Sequence, residues 1–323
     1  MNFISRRTFL AGSAGAAALA LTACGGSGSS DASGDKTYKI GVLQLTQHAA
    51  LDAANEGFVE ALDASGIKYT IDQQNANNDQ SACATIASKL VGDGDDLIFA
   101  IATPAAQAVA AATSDIPIVG SAITDYAASG LVADNDKPGG NLTGTSDMNP
   151  VDDQIAMLQK VLPEAKHIGM LYCTAESNSQ LQIEMAEAAC DKAGLTTERF
   201  TVSSSNEIQS VVESMVGKVD AGYSPTDNTI AAAAAQVGQI AKEGKLPFIT
   251  GEENMCMGMG ICTVSIDYKE LGKMAGEMAV KILKGEDAPA NMAIETETGD
   301  QLQTIKNEEM AEALGIDLSV LDA

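Results

Sequence analysis

"YKIGVLQLTQHAALDAANEGFVEALDASG", residues 38–66, holds the three parts from which the fold follows. A nearly continuous apolar run ends at Leu45, the polar Thr46-Gln47-His48 comes next, and an amphipathic stretch closes at Gly66. A short apolar run reads as a strand buried on both faces, and the stretch behind it as a covering helix. The unit recurs: "IKYTIDQQ" precedes "DQSACATIASKLVGDG", "DLIFAIA" precedes "PAAQAVAAATS", and "IPIVGSAI" and "GNLTGTS" follow. After Pro150 the alternation restarts with the helical "VDDQIAMLQKVLP" and runs through "HIGMLYC", "LTTERFTVS", "DAGYS", "LPFIT" and "ICTVSID" to the helix "YKELGKMAGEMAVKILKG". The pattern predicts an α/β chain with two doubly wound, parallel-sheet (flavodoxin-like) lobes. One continuous helix is expected over 228–244, "NTIAAAAAQVGQIAKEG".

In open α/β sheets, ligands bind beyond the carboxyl ends of the strands. Seven small, polar tips stand at those ends: 46–52, 103–106, 124–126, 145–150, 174–179, 225–228 and 251–254. Each tip alone reads as a turn or cap, but together they line a cleft between two facing lobes. At "PTDN", Asp227 is open to two readings, a helix cap or a carboxylate aimed into the cleft, with Asn228 or Thr229 capping instead.

The first 23 residues carry only Arg6 and Arg7 as charges, and a small, apolar run from Phe9 to Ala23 leads to Cys24. That run is too short to span a bilayer and reads as a secretory signal. "SRRTFL" resembles a twin-arginine signal and "LTAC" a lipobox, so residues 1–23 are expected to be removed and Cys24 lipidated, with general secretion left open as the route. Residues 24–37 read as a flexible tether. The protein is then expected outside the cell, lipid-anchored to the outer face of the cytoplasmic membrane.

A net charge of −25 argues against nucleic acid as a partner. Beyond Cys24, Cys83, Cys173, Cys190, Cys256 and Cys262 show no zinc spacing and read as small buried residues, one Cys256–Cys262 bridge being left open. Neither metal nor cofactor is expected. Carboxylates in "GEEN" and "TDN" allow an acid/base pair, but there is no G-x-S-x-G, P-loop or dinucleotide fingerprint, so an enzyme is not expected.

"IGVLQLTQHAALDAANEGF", "AESNS" after "LYC", "PTDNT" and "VSIDYKELGKMAGEMAVKIL" resemble the substrate-binding lipoproteins of bacterial ABC importers, within the subgroup that includes tryptophan- and tyrosine-binding receptors. The resemblance spans residues 38 to about 310 and departs from the pattern at His48-Ala49 and at Cys173. It implies a type I periplasmic-binding fold with three crossings, near Thr145, Val264 and Ala293. The N-terminal lobe would comprise 38–145 plus about 265–291, and the C-terminal lobe 146–264 plus about 292–323.

A small zwitterion, an aromatic or apolar L-amino acid, is the expected ligand, presented by a monomer to a permease and ATPase complex. Such a ligand needs donors for its carboxylate, an acid for its ammonium and a wall for its side chain. Helix starts near Gln47, His48, Thr103, Pro104, Thr124 and Asp125, with Thr145, Ser146, Ser177 and Asn178, are the candidate donors. Asp227, flanked by Thr226 and Asn228, is the first candidate for the ammonium, then Glu176 or Glu253. Tyr126 and Tyr172 are candidates to flank the side chain. A sugar is disfavoured by the absence of Trp and the 4% aromatic content; a surface adhesin remains an alternative.

Overall fold

A computed structural model describes residues 36–322. The signal, Cys24 and nearly all of the tether lie outside the described residues.

The first sheet is wholly parallel. It is built from β1 (Thr37–Gln44), β2 (Lys68–Asn75), β3 (Leu97–Ile101), β4 (Ile118–Ile123) and β5 (Leu142–Ser146), in the order β2-β1-β3-β4-β5. Its helices are α1 (Ala49–Ala64), α2 (Gln80–Asp93) and α3 (Thr103–Ala112). Local chemistry sets the helix ends: Asp79 accepts from the backbone N–H groups of Ser81 and Ala82 to start α2, and Gly94, at φ 69°, ends it.

After α4 (Val151–Val161) come β6 (His167–Cys173), α5 (Ser177–Ala193), β7 (Thr196–Val202), α6 (Ile208–Met215) and β8 (Ala221–Ser224). Then follow α7 (Asn228–Ala231), α8 (Ala234–Gly244), β9 (Phe248–Thr250), α9 (Glu253–Met259), β10 (Cys262–Ser265), α10 (Tyr268–Leu283), β11 (Gln303–Lys306) and α11 (Glu308–Leu314). The second sheet runs β11-β10-β9-β8-β6-β7, with β11 antiparallel to β10.

The helix expected over 228–244 is broken. Ala233 leaves helical geometry (φ −112°, ψ 14°), separating the single turn α7 from α8. Different contacts hold the two pieces: α7 is bound by buried carboxylates, whereas α8 packs Val237 and Ala241 into the apolar core. All five described cysteines are buried and free, so Cys256 and Cys262 are not bridged.

The chain passes between the sheets at 147–150, at 266–267 and after Glu295, whose only strand-like contact is a bridge to Thr145. Although α10 follows a strand of the second sheet, it packs against α1 of the first. The two helices approach closely through small residues: a Cβ on Gly272 would lie 1.9 Å from the Ala54 carbonyl oxygen, and one on Gly57 2.0 Å from that of Lys269. That contact places the first residue of α10, Tyr268, in the wall of the cleft between the lobes.

Candidate functional site

The cleft is walled by His48, Leu51 and Ala122 from the first lobe, by Asn178, Thr226, Asp227, Asn228, Ala231, Glu252 and Met255 from the second, and by Asp147 and Tyr268 beside the crossings. Its empty space is about 270 Å³, yet so narrow that a water-sized sphere has only about 10 Å³ to move in. That space is too tight for a free amino acid to pass through without a movement of the walls. A larger open groove of about 1130 Å³ between α1 and α10 is walled by exposed side chains such as Lys273 and Lys284 and lies away from these carboxylates.

The strand tips supply the wall as the α/β rule requires. Ala122 sits where the β4–β5 register shifts and adopts φ 56°, a left-handed backbone carrying only a methyl group toward the site. Leu51, Ala122, Ala231, Met255 and the Tyr268 ring make the apolar part.

Asp227 does two things at once. Its Oδ1 accepts from Ile230 N–H (2.9 Å), capping α7, and its Oδ2 accepts from Cys173 N–H (2.6 Å), while the side chain remains in the cleft wall. Capping and cleft placement thus coexist. Asn228 and Thr229 do not release Asp227 by capping the helix. Glu176, the second candidate, is turned away from the cavity. Its Oε2 accepts from Asn228 N and Nδ2 (3.0 and 2.6 Å), and its Oε1 from Thr229 N and Oγ1 (2.9 and 2.7 Å).

Several other expectations are corrected. Glu253 points to solvent as the first residue of α9, and its neighbour Glu252 is the buried N-cap, accepting from Asn254 and Met255 N–H groups at 2.6 Å each. A residue at N1 projects off the helix, whereas the extended N-cap folds its side chain over the helix end. Tyr126 is wholly buried and donates to the Thr145 carbonyl (3.0 Å); Tyr172 lies in the second lobe's core with its hydroxyl near Arg199. Tyr268 is the aromatic side chain in the wall instead. Gln47 and Ser177 are exposed. Asp125 spends its carboxylate on Ala128 N–H and the Asn135 amide. The hydroxyls of Thr145 and Ser146 are bonded inside the first lobe, to Ser121 and to the Thr124 carbonyl. Thr103 and Pro104 are buried at the start of α3 and do not line the cleft.

His48, Asn178, Thr226, Asp227 and Asn228 are brought together, and the lobes bond directly across them. His48 Nε2 lies 3.2 Å from Asn228 Oδ1, Asn78 donates to the Thr229 hydroxyl (2.9 Å), and Gln182 donates to the hydroxyls of Thr124 (3.3 Å) and Thr226 (2.6 Å). Glu176 orients the Asn228 amide, so its oxygen faces His48 and Nε2 carries the ring proton. Burial holds the His48 pKa below its usual value.

Asp147 and Glu252 were missed by the sequence reading, although both stand in the tips "TSDMNP" and "GEEN". Asp147 Oδ2 accepts from the Tyr268 hydroxyl (2.8 Å), and its Oδ1 has no hydrogen-bond partner of good geometry; neither does Asn178 Oδ1. Three carboxylates therefore share a cavity to which no described Lys or Arg contributes. Burial pushes Asp147 up to about 6 and Glu252 up to about 7; burial and then the nearby Glu176 charge push Asp227 up to about 8.

A model of the ABC transporter substrate binding protein family matches residues 39–320. The chain belongs to that family. It is 39% identical over 305 residues to a tyrosine-binding protein of Clostridioides difficile, covering 91% of this chain and 88% of that one. A Streptococcus pneumonia ABC domain in complex with L-Trp matches with a TM-score of 0.85 at 41% identity, over 89% of this chain and 98% of that one. The ligand-free, open structure of a Clostridium difficile substrate-binding protein with adhesive properties gives 0.66 at 42% identity, over 87% and 95%. As a member of this family, this substrate-binding protein works outside the cytoplasm.

Lobe closure should then depend on pH. When the cleft opens, these carboxylates regain water on the cavity side and their pKa values fall toward the usual range. Their pKa values are raised in the closed form, so closure takes up protons. Its advantage is full below about pH 4 and is lost as pH rises through about 6 to 8. Small-angle scattering of the unliganded protein is expected to show a compact particle near pH 5 and an expanded one near pH 8.5; equal radii at both would contradict it.

Proposed function

We propose that this substrate-binding protein captures an aromatic L-amino acid in the interlobe cleft and hands it to an ABC permease and ATPase. The observation that carries the reading is the cleft itself: unpartnered buried acceptors and three carboxylates without a basic side chain suit an ammonium, beside an apolar wall of Leu51, Met255 and Tyr268. The tyrosine- and tryptophan-binding relatives support the same class. Cys24 is proposed as the lipid-anchored residue, with the chain acting as a monomer.

The test is a thermal melt against single amino acids, sugars and nucleosides. L-tryptophan or L-tyrosine at a hundredfold excess over Kd is expected to add about 2.7 kcal/mol, a rise of several degrees. Shifts with sugars or nucleosides alone would refute the reading. A second role, surface adhesion, is favoured by the relative with adhesive properties.

A further inference from the structure

The ligand's amine has three carboxylates to choose from, and two are already engaged. Both Asp227 oxygens accept backbone N–H groups, and both Glu252 oxygens do the same. Asp147 differs. It is 4% exposed and lines the cavity, and beyond the nearby Thr124 hydroxyl and its own backbone N–H its Oδ1 makes no hydrogen bond of good geometry; Asn178 Oδ1, on a lining residue 3% exposed, is a second unpartnered acceptor. A buried acceptor left without a donor is costly, and an ammonium brings three.

Asp147 also belongs to the first crossing rather than to the C-terminal lobe. Around it the three crossings are laced together: Tyr268 donates to Asp147, Ile266 N–H to Asn149 (3.0 Å), Asp267 N–H to Glu297 (2.6 Å) and Thr296 to the Ser146 carbonyl (2.8 Å).

We propose that Asp147, in the hinge, is the counter-ion of the ligand's ammonium, with Asn178 Oδ1 as its second acceptor. This rests on the amino-acid reading of the cleft. The amine is then held by the hinge itself, and a ligand without it occupies the apolar wall without locking the crossings in their closed arrangement.

The experiment compares L-tryptophan with indolepropanoic acid, which lacks the amine, on wild type, Asp147→Asn and Asp227→Asn, by calorimetric titration and small-angle scattering. Asparagine at 147 keeps the shape and still accepts from Tyr268, so the unliganded melt should hold. Asp147→Asn is expected to weaken tryptophan binding roughly thirty- to several-thousand-fold and to erase the preference for tryptophan over indolepropanoic acid. At about pH 8.5, where the unliganded cleft is expected to be open, wild type should compact with tryptophan and not with indolepropanoic acid, a readout that needs no variant. Tryptophan affinity within about threefold of wild type in Asp147→Asn, or loss of the amine preference in Asp227→Asn instead, overturns the proposal and leaves the amino-acid reading standing. A wild type that binds no amino acid overturns that reading and this proposal with it.

Discussion

Glu176→Ala is expected to lower the melting temperature by about 8–16 °C and to take ligand binding with it, from a loss of about 4 kcal/mol. The side chain is buried and never touches the cavity, yet four donors of Asn228 and Thr229 converge on it. Removing it strands two backbone N–H groups at the start of α7, a helix of only four residues with little stability of its own. Asp227 and Asn228, which line the cleft, then lose their footing. Glu176→Gln should recover only part of this, because its NH2 would point a donor at another donor. Melting and calorimetric titration on the same preparations decide it. An Ala variant with a wild-type melt would mean that α7 is held by its own cap at Asp227.

The second large effect belongs to the contact between α1 and α10. Gly272→Ala is expected to cost about 3 kcal/mol, lowering the melting temperature by roughly 6–12 °C. The new methyl group meets backbone, the Ala54 carbonyl, and backbone yields only if the helices separate. Tyr268 lies one turn before Gly272 and bonds Asp147, so ligand affinity should fall as well. Gly92→Ala is the control: it lies in α2 with open space where its Cβ would stand, and it should be neutral or raise stability by about 0.5–1 kcal/mol. Equal melts for the two alanine variants would contradict the close helix packing.

The strand tips were legible because a parallel strand buried on both faces is an apolar run, and the polar residues after it can lie only at the sheet's edge. Asp227 was legible for the same reason, as was its capacity to cap. Neighbouring residues within a tip were not separable. Thr145 and Asp147 stand two apart in "TSDMNP", but the β5 ladder buries the first in its own lobe while the second leaves the sheet at the crossing. Glu252 and Glu253 differ only in which one is the N-cap, and the backbone there, at φ −155°, chose Glu252.

The alternation of strands and helices up to α10, the polar tips and the anchor-like N-terminus follow from the sequence by itself, since hydrophobic period and local capping are written in neighbouring residues; β11, α11 and the break at Ala233 do not. The tertiary structure alone decided which acids share one cavity. Asp147, Asp227 and Glu252 come from three separate stretches: adjacent strands β8 and β9 of the second sheet bring Asp227 and Glu252 together, and the first crossing, held by Tyr268 of α10, brings Asp147 to them. Their unusual acidity arises there too, because it needs the water-free space that only the closed lobes create.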